Sequence, residues 1–190
     1  MKLIKKLVIV VLIIVGLVYF VGIPYLQKET KKFSPYRSSQ VELADADIKV
    51  NYSSPSKKER VIFGELVPFG QIWRTGANEP TTFSTSKDIK IIDKSLPAGT
   101  YSLWTIPGKN SWKVIFNTEI PDWGVTRING NQTTHEPQHD LVTVEVPVDY
   151  EIEPVEDLFI GFTEKKERQQ EQTYFQITWD TSNILIPIFR

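Results

Sequence analysis

The densest concentration of residues able to do chemistry lies between Arg60 and Thr82, in RVIFGELVPFGQIWRTGANEPTT. Guanidinium groups, indole, amide and carboxylate share one short, Gly- and Pro-rich stretch. Trp73 offers a flat platform, and Arg74 and Asn78 offer donors suited to a carboxylate, a phosphate or a sugar hydroxyl. The candidate ligand-binding set is Arg60, Trp73, Arg74, Asn78 and Glu79. A second reading makes Trp73 a core residue and pairs Arg74 with Glu79 to pin a tight turn. Gly64, Pro68, Gly70 and Gly76 place the set on loops, where residues that bind are often carried by a rigid scaffold.

Other constellations are weaker. His135 and His139 stand four apart, a metal-pair spacing on a helix, but Pro137 between them opposes a helix and no third ligand is placed. No metal site is expected there, and the segment reads as a polar loop. His139 as a general base has no assignable hydroxyl partner. Ser54–Lys57 and Ser84–Lys87 fit S-x-x-K, but S-D-N is missing and the surroundings are turn or strand. The acids Asp149, Glu151, Glu153, Glu156 and Asp157 are interleaved with Pro154 and Val155. They read as a charged strand edge rather than as a glycosidase pair. Asn51-Tyr52-Ser53 and Asn131-Gln132-Thr133 match glycosylation acceptors, a triplet common by chance. There is no cysteine, which excludes thiolate nucleophiles, disulfides and Cys-ligated metals. No catalytic set is assembled and no cofactor is expected.

Several blocks together resemble the bacterial domain of unknown function 2911 family. They are Arg60 with Ile62-Phe63-Gly64, Leu66-Val67-Pro68, Trp73 to Glu79 with Thr81, Leu96 to Leu103, Ile106-Pro107, Trp112 and Trp123-Gly124. The resemblance runs from about Asp47 to the C-terminus. It implies a compact β domain in an exported or envelope-associated protein and supplies no activity.

The elements that must position these residues are strands. Ile48, Val50 and Tyr52 alternate with Asp47, Lys49 and Asn51. The same period of two runs through 101–106, 112–117, 141–148 and 174–179. Pro97-Ala98-Gly99, Pro107-Gly108-Lys109-Asn110 and Asn129-Gly130-Asn131 supply turns, and Glu164–Gln172 reads as a solvated hairpin loop. Many short strands, turns rich in Gly and Pro, and no amphipathic helix predict an all-β antiparallel sandwich, jelly-roll-like or barrel-like, over 46–190.

Ahead of it, residues 7–26 form an uncharged apolar run behind Lys2, Lys5 and Lys6. A helix of about 20 residues matches the hydrocarbon core of a bilayer. The run is longer than a signal-peptide core and lacks a small-residue cleavage site, so an uncleaved anchor over 1–27 is expected, followed by a polar tether over 28–45. The positive flanks are nearly balanced. The short basic N-terminus and the long following domain place the latter outside the cytoplasmic membrane.

The chain has 22 basic and 23 acidic residues; six Lys and one Glu lie in 1–32, which leaves the remainder with 16 basic and 22 acidic. An acidic domain is a poor nucleic-acid partner. The expectation is a membrane-anchored, non-enzymatic binding module, contacting the bilayer through 7–26 and an envelope protein, glycan or small ligand through its domain. An envelope hydrolase using Arg74, Asn78, Glu79 and His139, or a purely structural domain, are the alternatives.

Overall fold

The computed structural model describes residues 2–126, 132–167 and 170–190. They form two compact units, 1–33 and 34–190.

The first unit is helical: α1 (Lys2–Leu17), a π-helical turn (Val18–Gly22) and α2 (Ile23–Phe33). The π turn sends the Ile23 N–H to Val18 O and lies immediately before Pro24. Widening one turn there gives room to a ring that would otherwise press on the carbonyl four residues back. The stretch Ile4–Phe33 is long and apolar enough to cross a membrane, and meets the requirements of an anchor or a signal sequence alike. Its apolar side chains, Leu7 to Leu26 among them, are mostly exposed.

The second unit is two antiparallel sheets packed face to face. The strands of the larger sheet are β1 (Tyr36–Leu43), β2 (Ala46–Ser53), β3 (Thr81–Thr85), β6 (Gly99–Ile106), β7 (Ser111–Asn117) and β10 (Asp140–Pro147), in the order β1-β2-β3-β6-β7-β10. The smaller combines β4 (Ile89–Ile91), β5 (Lys94–Leu96), β11 (Asp149–Glu167) and β12 (Gln170–Phe189), in the order β11-β12-β4-β5. A short pair, β8 (Val125–Thr126) and β9 (Gln132–Thr133), stands apart. This is the antiparallel sandwich that the period-two runs predict.

Two expectations change. Residues 28–45, predicted as a tether, are helical through Phe33 and then form strand β1. β1 pairs with β2 along its whole length, from Tyr36↔Ser53 to Leu43↔Ala46. It is an edge strand; only Val41 and Leu43 pack on the core, so its period-two signal is faint. Glu164–Gln172 is not all loop: pairing continues to Glu167↔Gln170. The Asn129-Gly130-Asn131 turn lies outside the described residues.

The inward residues make an apolar core rich in aromatic rings. Phe83 has no exposed surface and meets Phe116 and Phe175 edge-on at 5.1 and 5.2 Å between ring centres. Trp73 stacks on Trp179 at 6.0 Å and meets Phe63 and Trp112 edge-on. Such pairs add about 0.5–1.5 kcal/mol each to simple burial.

The middle of β6 and the end of β7 are buried on both faces, while Thr100 and Lys113 are exposed. Ser102, Trp104, Ile115 and Asn117 point away from the core, yet each is buried. Their neighbours on the outer side include residues of the connection after β7, described over 118–126 and 132–139. His135 lies against Trp104 with ring centres 5.3 Å apart, and the Glu119 carbonyl accepts from the Ser102 hydroxyl at 2.5 Å.

Candidate functional site

Residue 73 joins the larger sheet by a single rung: Trp73 N–H donates to Thr105 O at 2.8 Å and Thr105 N–H to Trp73 O at 2.9 Å. Successive side chains along an extended chain point to opposite faces. Trp73 enters the core, and Arg74 goes outward against Gly124. A Cβ built on Gly124 would lie 2.3 Å from Arg74 Cδ and 2.9 Å from its Cβ, so only glycine fits beside the arginine stem.

Beyond Arg74 the chain turns sharply and is pinned. Thr75, Gly76 and Asn78 all have positive φ, at 55°, 151° and 58°. Glycine is required at 76 on two counts: its φ, and the 3.0 and 3.2 Å at which a Cβ would meet Thr81 Oγ1 and Ser53 O. The Thr75 hydroxyl bonds Thr105 Oγ1 at 3.1 Å, the Thr81 hydroxyl donates to Thr75 O at 2.6 Å, and Ala77 N–H donates to Ser53 O at 3.2 Å.

The five sequence-selected residues thus have different surroundings. Trp73 packs on the core. Asn78 is buried, its amide donating to Ser34 O at 3.4 Å. Glu79 is half-buried and accepts from the Ser53 hydroxyl at 3.5 Å. Arg60 is committed to its own loop, donating to Lys57 O at 2.8 Å and Ser56 O at 2.6 Å. Arg74 differs from all of them. Its Nε is buried and has no acceptor among the described residues. Burial also holds its pKa below the usual guanidinium value, because the charged form has lost water.

The histidines separate. His139 lies 3.5 Å from the Glu136 carboxylate at the surface. The side chain of His135 is 7 % exposed, its Nε2 2.7 Å from Asp140 Oδ1. Asn117 completes this cluster: its amide donates to Asp140 Oδ1 at 2.8 Å and to Glu136 O at 2.9 Å, and its carbonyl accepts Glu119 N–H at 2.8 Å. Among the described residues no group of three His, Cys, Asp or Glu could hold a metal. Sequence reasoning missed the Asn117–His135–Asp140 cluster. Its one visible signal is a buried-type strand, Trp112–Phe116, that ends in asparagine.

The remaining candidates are structural. Asp157 accepts from Ser56 Oγ at 2.6 Å and pairs with Arg37 at 3.2 Å; Glu151 accepts from Asn183 at 2.7 Å. The buried Ser54 hydroxyl donates to Leu158 O at 2.7 Å. A shallow groove of about 600 Å³ on the outer side of β2 and β3 is lined by Asp47, Lys49, Ser84, Ser86 and Thr100. Its serines are engaged, Ser86 accepting from Asp47 N–H at 2.8 Å and Ser84 donating to Lys49 O at 3.4 Å.

Residues 34–188 match the model of a family described as protein of unknown function, DUF2911. The chain belongs to the DUF2911 family. The match begins where the sandwich unit begins, and so includes β1, which the sequence resemblance from about Asp47 leaves out. No curated protein and no solved structure matches the chain. Two DUF2911 blocks that carry the sequence resemblance, Trp73–Glu79 and Trp123-Gly124, meet in space where Arg74 packs on Gly124.

Proposed function

We propose that this DUF2911 protein is a single-pass protein of the cytoplasmic membrane, held by residues 7–26, with its sandwich outside the cytoplasm. The sandwich acts as a non-enzymatic binding module that takes a small carboxylate- or phosphate-bearing ligand at Arg74. The supporting observation is the partly desolvated guanidinium, whose buried Nε has no acceptor among the described residues. Leaving a charged donor buried and unmatched costs several kcal/mol at worst, and an oxyanion is the partner that its planar fork fits bidentately. A guanidinium holds its proton at every physiological pH, so it suits binding rather than proton transfer.

Thermal melting of the full chain in detergent micelles, titrated with inorganic phosphate and with citrate, tests the site. The wild type melts higher as either anion is added, and Arg74→Met does not respond. An equal response in both proteins removes Arg74 from the site; no response in the wild type ends the anion reading. Topology is tested separately. The chain has no cysteine, so Ser84→Cys creates a single thiol. Labelling of intact cells by a membrane-impermeant maleimide places the domain outside; labelling only after lysis reverses the orientation.

A further inference from the structure

Resting on the reading of Arg74 as an anion site, we propose that Asn117, His135 and Asp140 are its positioning residues, a brace for the Trp123–Gly124 segment against which the arginine stem packs. The connections are continuous. Gly124 lies on the Arg74 stem. The Trp123 carbonyl accepts from the Thr134 hydroxyl at 2.8 Å, and the Gly124 carbonyl accepts Thr134 N–H at 3.4 Å. Val125 pairs with Thr133 in the short ladder. Two residues on is His135, whose N–H donates to Thr133 Oγ1 at 3.1 Å. Its ring is held from two sides, by the Asp140 carboxylate and by the tilted ring of Trp104.

Asn117 ties the two arms of the connection to the sheet. Its carbonyl oxygen receives the N–H of Glu119 on the outgoing arm, and its NH₂ reaches Glu136 and Asp140 on the returning arm. An amide can do both because it donates and accepts; neither Asp nor Leu can. Apolar residues would cover Trp104 and Ile115 at lower cost. A fully satisfied polar network instead specifies one geometry. A binding arginine needs that, since a site loose by about 1 Å loses its preorganised advantage.

The test needs no ligand. Phenylglyoxal modifies exposed guanidinium groups, and peptide mass mapping gives the rate at each arginine of the full chain in micelles. Asn117→Ala and His135→Phe are expected to speed modification at Arg74 about fivefold, the equivalent of one hydrogen bond, with Arg37 unchanged as internal control. His135→Phe keeps a ring on Trp104 and loses the bond to Asp140; His135→Gln keeps a donor and is expected to react at the wild-type rate. Wild-type rates at Arg74 in both of the first two variants overturn the proposal, as does His135→Gln reacting as fast as His135→Phe. In parallel, Asn117→Ala is expected to weaken phosphate binding about tenfold. If the rates change but wild-type protein binds neither phosphate nor citrate, the brace stands and the anion reading falls.

Discussion

Over the middle of β6 and the end of β7 both faces are buried, and they are built from opposite materials. Inward lie Leu103, Trp112, Val114 and Phe116, packed on Phe83 and Phe175 from other strands. Outward lie Ser102, Trp104 and Asn117, facing His135 and Asp140. Each face has a buried donor with no partner among the described residues. On the inner face it is Trp112 Nε1, a neutral N–H; beside the outer face it is Arg74 Nε, part of a cation. An unmatched neutral donor costs about 1–3 kcal/mol and is tolerated within a well-packed core; an unmatched charge costs more. Folding alone accounts for the inner face. The unmatched donor beside the outer face is the costlier of the two because it belongs to a cation, and the ligand reading rests on that difference.

The largest test of this contrast is on the inner face. Phe83→Ala removes a ring with no exposed surface from a cluster of four phenylalanines, with Phe116, Phe162 and Phe175. Urea unfolding of the full chain is expected to show a loss of about 3–5 kcal/mol, with phosphate binding intact in the protein that remains folded. A loss below about 1 kcal/mol would mean that the sheets can collapse onto the cavity, and the inner face would not be the stabilising one.

An intermediate effect is expected where the outer face is tightest. Gly124→Ala forces a Cβ to 2.3 Å from Arg74 Cδ and 2.9 Å from Arg74 Cβ, and the latter atom is not the free end of a flexible side chain. Overpacking of this kind costs about 1–3 kcal/mol. The cost is expected to vanish largely in an Arg74→Ala background, because the clash then loses most of its atoms. A double-mutant cycle measures that coupling directly. Additive effects would separate Gly124 from Arg74 and take away the structural link between the two DUF2911 blocks.

The same contrast explains what could be read in advance. The inner face announces itself by alternation: Ile48, Val50 and Tyr52, or Val142, Val144 and Val146, are consecutive inward positions on one strand, and all six are buried. The edge strand β1 was harder, since Arg37 to Gln40 are polar and its pairing with β2 is made by backbone groups that have no sequence signature. The outer cluster was illegible for a different reason. Asn117, His135 and Asp140 come from a strand end, a loop and the start of another strand, and only the register of β7 with β10, Asp140↔Asn117, makes them neighbours. Arg74 was visible as a candidate. What marks it out, a buried Nε with no acceptor among the described residues, is a property of packing. Trp73, chosen for its flat ring, uses that ring on Trp179.

The smallest expected effect is the most discriminating, and its sign matters more than its size. Burial lowers the Arg74 pKa. A cationic group whose folded-state pKa is depressed binds its proton less tightly in the folded protein than in the unfolded chain. At every pH below that value, which includes all physiological pH, the charge therefore subtracts from stability instead of adding to it. Arg74→Met keeps a long apolar stem beside Gly124 and deletes the charge, so unliganded protein is expected to gain about 1 kcal/mol, read as a higher urea midpoint. The gain is expected at low and at moderate salt alike, since a desolvated group is screened less than a surface one. With saturating phosphate the order is expected to reverse, because only the wild type gains binding energy. Should Arg74→Met be less stable without any anion, the guanidinium would be serving the fold, and the outer face would join the inner one as scaffold.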